Sequence, residues 1–387
     1  MVSLDGEIRA FQADLRRRLA ERIEPLIAGI DESQAFSSRL WGELQATGIF
    51  GLPFGVPGGD DGGGSFPAFI VATEEIARAG AIAALYPGTT LQVAATLIRY
   101  GSPQQQERWL PTLTSGIAPA AWAFTEPQTG SDPRQIATRA QRTAGGDWII
   151  DGQKALISFA RQALVTLIFA ATDEGGLGAF LMPAGIPGVS HGDAVRLMSF
   201  GGGEPSAIYL DRVRLPSDAL VGEPGEGFSV LLAGETEGKI RASAINVGIA
   251  QRAVDEAASY ALARTHRGLS IAAKFPTVAA RIGEMDAQVQ AARAHVRAVA
   301  AALDGGGQDD LSAASAAVRI TTGRCAREVT SHALQVCGAY GWTKELPVER
   351  LYREAKFFEV TQGVIDIQRA IVARHVLAAR REAAARG

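Results

Sequence analysis

Cysteine is scarce in this chain: of 387 residues only Cys325 and Cys337 are cysteines. Both lie in apolar, helix-prone sequence, so buried thiols and a reducing cytoplasm are expected, with no disulfide framework. Histidine is almost as rare. His191, His266, His295, His332 and His375 contain no i,i+4 pair, and there is no Cys-x-x-Cys, so no metal site is expected. An excess of one charge is also missing. A net charge of -3 provides no basic surplus for nucleic acid. The N-terminal sequence lacks the apolar core of a secretory signal, and no run of about 18 apolar residues offers a membrane span. The glycine-rich run at 58–64 lacks the Lys-Ser/Thr of a phosphate loop and reads as a surface loop. No internal repeat is present.

What is present is ordinary globular composition, 47% hydrophobic and 20% charged, in a chain long enough for two or three domains. Its hydrophobic period changes twice. Residues 1–119 read as helical: Leu15, Leu19, Ile23 and Leu26 recur at spacings of three and four, as do Phe69, Ala72, Ile76 and Ala79. Pro111 and Pro119 should break that pattern. Residues 120–229 read as an antiparallel β domain. Trp148–Ile157 looks like two β-prone runs joined by a turn at Asp151-Gly152, a hairpin signal. Leu164–Thr172, Ala179–Pro183 and Ile208–Leu215 look like further strands. Residues 230–387 return to the helical period. Val278, Ile282, Met285, Val289, Ala292, Val296 and Val299 form one apolar stripe, and Val247, Ala250, Val254 and Ala257 another. Leu311–Val336 and Ile365–Val376 supply two more helices, which suggests a four-helix bundle. The expected class is α+β: helices, a β domain, then the bundle.

Several motifs occur in order. Trp122-Ala-Phe124-Thr125-Glu126-Pro127-Gln-Thr-Gly130-Ser131-Asp132 resembles the acyl-CoA dehydrogenase signature, an aromatic residue followed by x-x-Thr-Glu-Pro-x-x-Gly-Ser-Asp. Gly152-x-Lys154-x-x-Ile157-Ser158, Gly248–Gln251 with Tyr260 and Arg264, Gln335–Gly341, Tyr352–Lys356 and Ile367–Arg369 resemble later motifs of that family. The resemblance runs from about residue 10 to 376. It implies FAD as cofactor and a fold of N-terminal helices, a central antiparallel β-barrel domain and a C-terminal four-helix bundle. It also implies an acyl-CoA or acyl-carrier-protein thioester as substrate, an electron-transferring flavoprotein as acceptor and a homodimer or homotetramer.

The same resemblance places the cofactor residues. Trp122, Phe124 and Thr125 would flank the flavin, with Thr125 on its N1/O2 side and Ser158 on its N5/O4 side; donors there stabilise charge on the reduced ring. Ser131 would meet the pyrophosphate, with Gly130 allowing close approach. Leu156 stands where the family usually stacks a Trp, keeping an apolar wall without the π surface. Arg264, Gln335 and Ala339 match positions that serve a neighbouring subunit's FAD, and Arg suits phosphate oxygens. Val364 and Asp366 also fall beside the cofactor.

One position breaks the pattern. The family's catalytic carboxylate lies in Tyr-Glu-Gly-Thr, and the matching residues here are Thr361-Gln362-Gly363-Val364. Thr361, Gln362 and Gly363 would hold the thioester, and the Gln362 backbone N–H would polarise its carbonyl. A carboxamide cannot accept the α-proton, a step worth roughly 10²–10⁴ in rate. Some relatives carry the base on the first bundle helix, at the position of Gly238. Glu237 adjoins it and is the first choice of base; Glu235, Glu359 and Asp366 are the other nearby carboxylates. The ordinary dehydrogenation with a displaced base is the leading reading. A flavin monooxygenase or oxidase, or a non-catalytic subunit of a heteromeric dehydrogenase, would also account for Gln362.

Overall fold

The computed structural model describes residues 6–54, 64–132, 135–304 and 311–386. The glycine-rich run at 58–64, apart from Gly64, and the glycines at 305–307 lie outside them. Seven helices come first: α1 (Gly6–Arg22), α2 (Glu24–Ser33), α3 (Ser38–Gln45), α4 (Phe66–Ala79), α5 (Ala81–Leu85), α6 (Gly88–Tyr100) and α7 (Pro103–Thr114). Three corrections to the sequence reading arise here. The apolar stripe passes from Ile23 to Ile27 and Ile30 rather than Leu26, because the helix restarts at Glu24 with Pro25 in its first turn. Pro111 does not end α7 but sits inside its last turn, where a single missing N–H is tolerated. Ala81–Tyr100 does have the length and hydropathy of a membrane span, but it is mostly buried in the protein and is split into α5 and α6.

The sheet holds β1 (Ala120–Ala123), β2 (Arg139–Arg142), β3 (Trp148–Ile157), β4 (Val165–Thr172), β5 (Leu177–Pro183), β6 (Val189–His191) and β7 (Ser206–Leu215). The order is β1-β4-β2-β3-β7-β6, with β5 also on β4. It is mixed rather than purely antiparallel, since β4 runs parallel to both β1 and β2. One face buries Trp148, Ile150, Phe180, Ile208 and Val213. The other packs Val165, Leu167 and Phe169 against Val93 and Leu97 of α6 and Trp109 of α7. Truncating a buried ring such as Trp148 would cost about 3–5 kcal/mol.

The expected hairpin at Asp151-Gly152 is absent, and β3 runs straight through it. The register against β7 slips by one between Ile150 and Gly152 and returns between Lys154 and Ile157. Each slip is a bulge. The first places its extra residue on β7, where Arg212 has φ 50° and its N–H donates to Asp151 Oδ1 at 2.7 Å. The second places it on β3, at Leu156 with φ 56°. Gly152 is required for another reason: a Cβ there would lie 2.7 Å from Thr138 Cα.

The remaining helices are α8 (Gly227–Ala263), α9 (Ile271–Lys274), α10 (Pro276–Asp304), α11 (Ser312–Cys337), α12 (Val348–Val360) and α13 (Ile365–Arg386). The chain divides into two compact units. The bundle unit holds Met1–Ile27, Ser65–Ala84 and Lys239–Gly387; the sheet unit holds Ala28–Gly64 and Leu85–Gly238. In the bundle unit α10 buries Met285, Val289, Ala292, Val296 and Val299, most of the expected stripe. Gly248 of α8 lets the helix backbone approach α4, since a Cβ would lie 2.5 Å from Glu74 O. A buried ionic ladder joins this packing: Arg293 Nε donates to Glu74 at 2.7 Å and its Nη2 to Gln251 Oε1 at 2.6 Å. Burial raises the Glu74 carboxyl from its ordinary range, opposed by Arg293.

Candidate functional site

In the sheet unit, the segment that follows β1 is anchored from below. Lys154, fully buried on β3, donates from Nζ to Glu126 Oε1 at 2.7 Å and to Phe124 O at 3.2 Å. Glu126, 4% exposed, also accepts from the Thr138 hydroxyl and from the backbone N–H groups of Ala137 at 2.7 Å and Thr138 at 3.1 Å. Burial alone would raise the Glu126 carboxyl; the Lys154 and Thr138 hydrogen bonds outweigh it and hold it at about 2. Burial lowers Lys154 to about 8, against the pull of Glu126. The pair flanks Thr125, whose carbonyl accepts from Ala155 N at 2.9 Å. Thr125 is thereby fixed at both neighbours.

The end of β3 is shaped by its bulge. Leu156 is turned outward, 55% exposed, and Phe159 is also left-handed at φ 58°. Ser158 lies half-buried between them. Non-glycine residues in this region cost about 1–3 kcal/mol each and gather at functional sites. Gly203, whose carbonyl accepts from Phe159 N at 2.7 Å, supports the Ser158 turn. A Cβ on Gly130 would stand 3.8 Å from Thr125 Cγ2, so the two expected positions lie side by side. Ser131 is exposed next to them, and Trp122 and Phe124 are half-buried with rings 5.0 and 6.0 Å from that of Phe169. The sheet unit thus presents an outward apolar Leu156, a flanking hydroxyl at Ser158 and an unobstructed Gly130. These suit a flat ring with a polar edge and an attached diphosphate, which is the shape of FAD.

In the bundle unit, Thr361, Gln362 and Gly363 form the turn between α12 and α13. Gln362 and Gly363 are consecutively left-handed, at φ 50° and 74°. Buried Arg319 of α11 donates from Nη2 to Phe358 O and, at 3.2 Å, to Thr361 O. Gln368 Nε2 donates to Gly363 O at 3.0 Å. Both ends of the turn are therefore held by side chains. Among the described residues nothing accepts from the Gln362 N–H, and its buried Oε1 has no partner either. The turn holds out a backbone donor and a neutral amide.

The other expected residues scatter more widely. Arg264, exposed, follows the end of α8, and Ala339 lies in the exposed turn after α11; the Tyr260 and Tyr340 rings, 6.4 Å apart, bring those two stretches near one another. Gln335 is exposed on α11 and Val364 half-buried. Asp366 is a surface residue paired with Arg369 at 2.6 Å. Glu359 is held by Lys356 at 2.5 Å and Arg327 at 3.2 Å, so its carboxylate is already engaged. Glu237 is half-buried on α8, in the sheet unit. Sequence reasoning missed the supports: Glu126, Lys154, Arg319 and Gln368. The available signal was the single lysine of β3; Arg319 is one of three arginines on α11 and nothing in the local pattern sets it apart.

Comparison with known proteins gives the same outline. The family models for the N-terminal, middle and C-terminal domains of acyl-CoA dehydrogenase match residues 5–117, 121–213 and 225–377. The chain is 33% identical over 381 residues to the probable acyl-CoA dehydrogenase fadE25 of Mycobacterium leprae, covering 97% of each. It is 31% identical over 369 residues to the acryloyl-CoA reductase (NADH) of Anaerotignum propionicum, covering 94% of this chain and 93% of the other. The butyryl-CoA dehydrogenase structure from Megasphaera elsdenii superposes with a TM-score of 0.92 at 27% identity, over 97% of this chain and 100% of that one. The chain belongs to the acyl-CoA dehydrogenase family, oxidoreductases that act on CH–CH groups with FAD as cofactor.

Proposed function

We propose that this protein introduces a Cα=Cβ double bond into an acyl thioester, carried on CoA or a carrier protein, with its base displaced from position 362 to Glu237. The supporting observation is the turn at Gln362, a donor N–H without an acceptor joined to a side chain that cannot take a proton. That N–H donates to the thioester oxygen and stabilises the charge that builds there as the α-proton leaves. Glu237, one residue before the glycine that matches the family's alternative base, takes that proton. Bound FAD supplies the acceptor for the β-hydrogen and its electron pair. Thr125 and Ser158 orient the ring's polar edge, and the Lys154–Glu126 pair holds Thr125 in place. An electron-transferring flavoprotein would be the partner that accepts the electrons. Arg264 and Gln335 serve the cofactor of a second copy in a homodimer or homotetramer, so Arg264→Ala should loosen both FAD and assembly.

Rapid mixing of the holoprotein with a panel of acyl thioesters tests this reading. Flavin bleaching is expected in the wild type, a loss of two or more orders of magnitude in Glu237→Gln, and residual bleaching in Gln362→Ala. Bleaching that survives Glu237→Gln removes Glu237 from the mechanism. An oxidase or monooxygenase needs no base at position 362, and the neutral Gln362 favours it as the second reading. Oxygen consumption without an electron acceptor, in the absence of anaerobic bleaching, would establish it.

A further inference from the structure

Two buried donors in the sheet unit have no use in the mechanism. Gln92 lies on α6, 4% exposed, among the buried Leu91, Val93 and Ala94. Its Nε2 has no hydrogen-bond partner, and neither does the buried indole Nε1 of Trp122. The same unit satisfies comparable groups elsewhere. Buried Gln105 donates to Asp218 O at 2.7 Å and Leu220 O at 2.8 Å, and the Trp41 indole donates to Gly116 O at 2.7 Å. The fold can therefore pair a buried glutamine or indole, and at this spot it does not. Leaving such a group unpaired is costly unless something else accepts from it.

The Gln92 donor and the benzo edge of the Trp122 indole both face Gly234 of α8. A Cβ on Gly234 would lie 3.2 Å from Gln92 Nε2 and 2.6 Å from Trp122 Cη2. Any other residue at 234 would crowd both. Gly234 is one helical turn before Glu237, and Trp122 stands three residues before Thr125. The pair thus borders the stretch of α8 that carries the base and the segment that orients the flavin.

We propose that Gln92 and Trp122 select an acyl group bearing a neutral carbonyl-type oxygen beyond its β-carbon. This rests on the thioester reading above and narrows its substrate class. Both donors are uncharged, so a ketone or amide oxygen satisfies them without burying a net charge. A plain alkyl chain leaves both unpaired, and a site built to pair a substrate oxygen discriminates against the analogue lacking it.

Calorimetry of the holoprotein, under anaerobic conditions, with hexanoyl-CoA, 5-oxohexanoyl-CoA, 4-oxopentanoyl-CoA and glutaryl-CoA tests the proposal. At least one oxoacyl thioester should bind roughly ten- to hundredfold tighter than hexanoyl-CoA. Gln92→Leu, similar in volume, should abolish or reverse that preference without lowering the melting temperature, because it removes an unpaired buried amide. Trp122→Phe should reduce the preference in the same direction. Equal affinity for oxoacyl and alkyl thioesters overturns this inference alone, as does a preference for glutaryl-CoA or one unchanged in Gln92→Leu. A Gln92→Leu protein that melts lower gives Gln92 a structural role and also overturns it. Failure of every thioester to bind removes the proposed function and this inference together.

Discussion

The Thr125 segment and the Gln362 turn are both held rigid, but by opposite means. Beneath Thr125 lies a buried ion pair whose charges are met by hydroxyl and backbone donors. The Gln362 turn is tied by a cation and an amide that hold main-chain carbonyls. The first clamp is titratable and costly to desolvate; the second depends on left-handed backbone. Under the proposed function, the comparison means that a cofactor's position is fixed with charge and a substrate's with main-chain geometry. Each clamp should then fail under different treatment.

The largest effect should come from Lys154→Met, which strands Glu126 as a buried, uncompensated carboxylate. A loss of about 3–5 kcal/mol is expected by urea denaturation, and adding Glu126→Leu should recover most of it. A single-variant cost below about 1 kcal/mol would show that the pair does not hold the segment. Acid comes next. The Glu126 carboxyl is held at about 2, below its ordinary 4.5, so the unfolded chain binds the proton more readily. Its contribution is complete above pH 4.5 and disappears as pH falls towards 2, roughly 3 kcal/mol in all. The Lys154→Met, Glu126→Leu protein should show a flatter acid limb, and an identical slope would contradict the assignment. Arg319→Leu should cost about 2 kcal/mol by urea denaturation, by releasing the Phe358 and Thr361 carbonyls. Gly363→Ala should be smallest, about 1–2 kcal/mol, because it adds a Cβ 2.5 Å from Gln368 Nε2 at a left-handed φ. Thermal melts that place Gly363→Ala above wild type would show that the turn relaxes freely.

The sequence made the helices legible because their apolar residues recur over many turns, as on α10. Motif order then named the residues expected at the flavin. Where single residues decide the geometry, local pattern failed. Asp151-Gly152 has the composition of a turn, yet Gly152 is needed because Thr138 crowds it, a contact set by sheet pairing. Leu26 continued a period that the restart of α2 had reset. Lys154 and Glu126 lie far apart in sequence, as do Arg319 and Thr361, so their pairing depends on register and helix packing. The bulge did leave a trace: Ile208, Leu210, Val213 and Leu215 alternate by two except for one step of three.

The two slips between β3 and β7 behave like paired frameshifts in a message. Before the first and after the second, the strands read in the same frame; only the short passage from Gly152 to Lys154 is displaced. Deleting Leu156 alone would leave everything from Ile157 onward out of frame, with Ile157 and Ser158 exchanging faces. Removing Arg212 as well would restore the reading, but would lose the displaced passage and the outward turn of Leu156. An insertion or deletion at one bulge is therefore tolerable only with its complement at the other. Two sites more than fifty residues apart in the chain are bound to change length together.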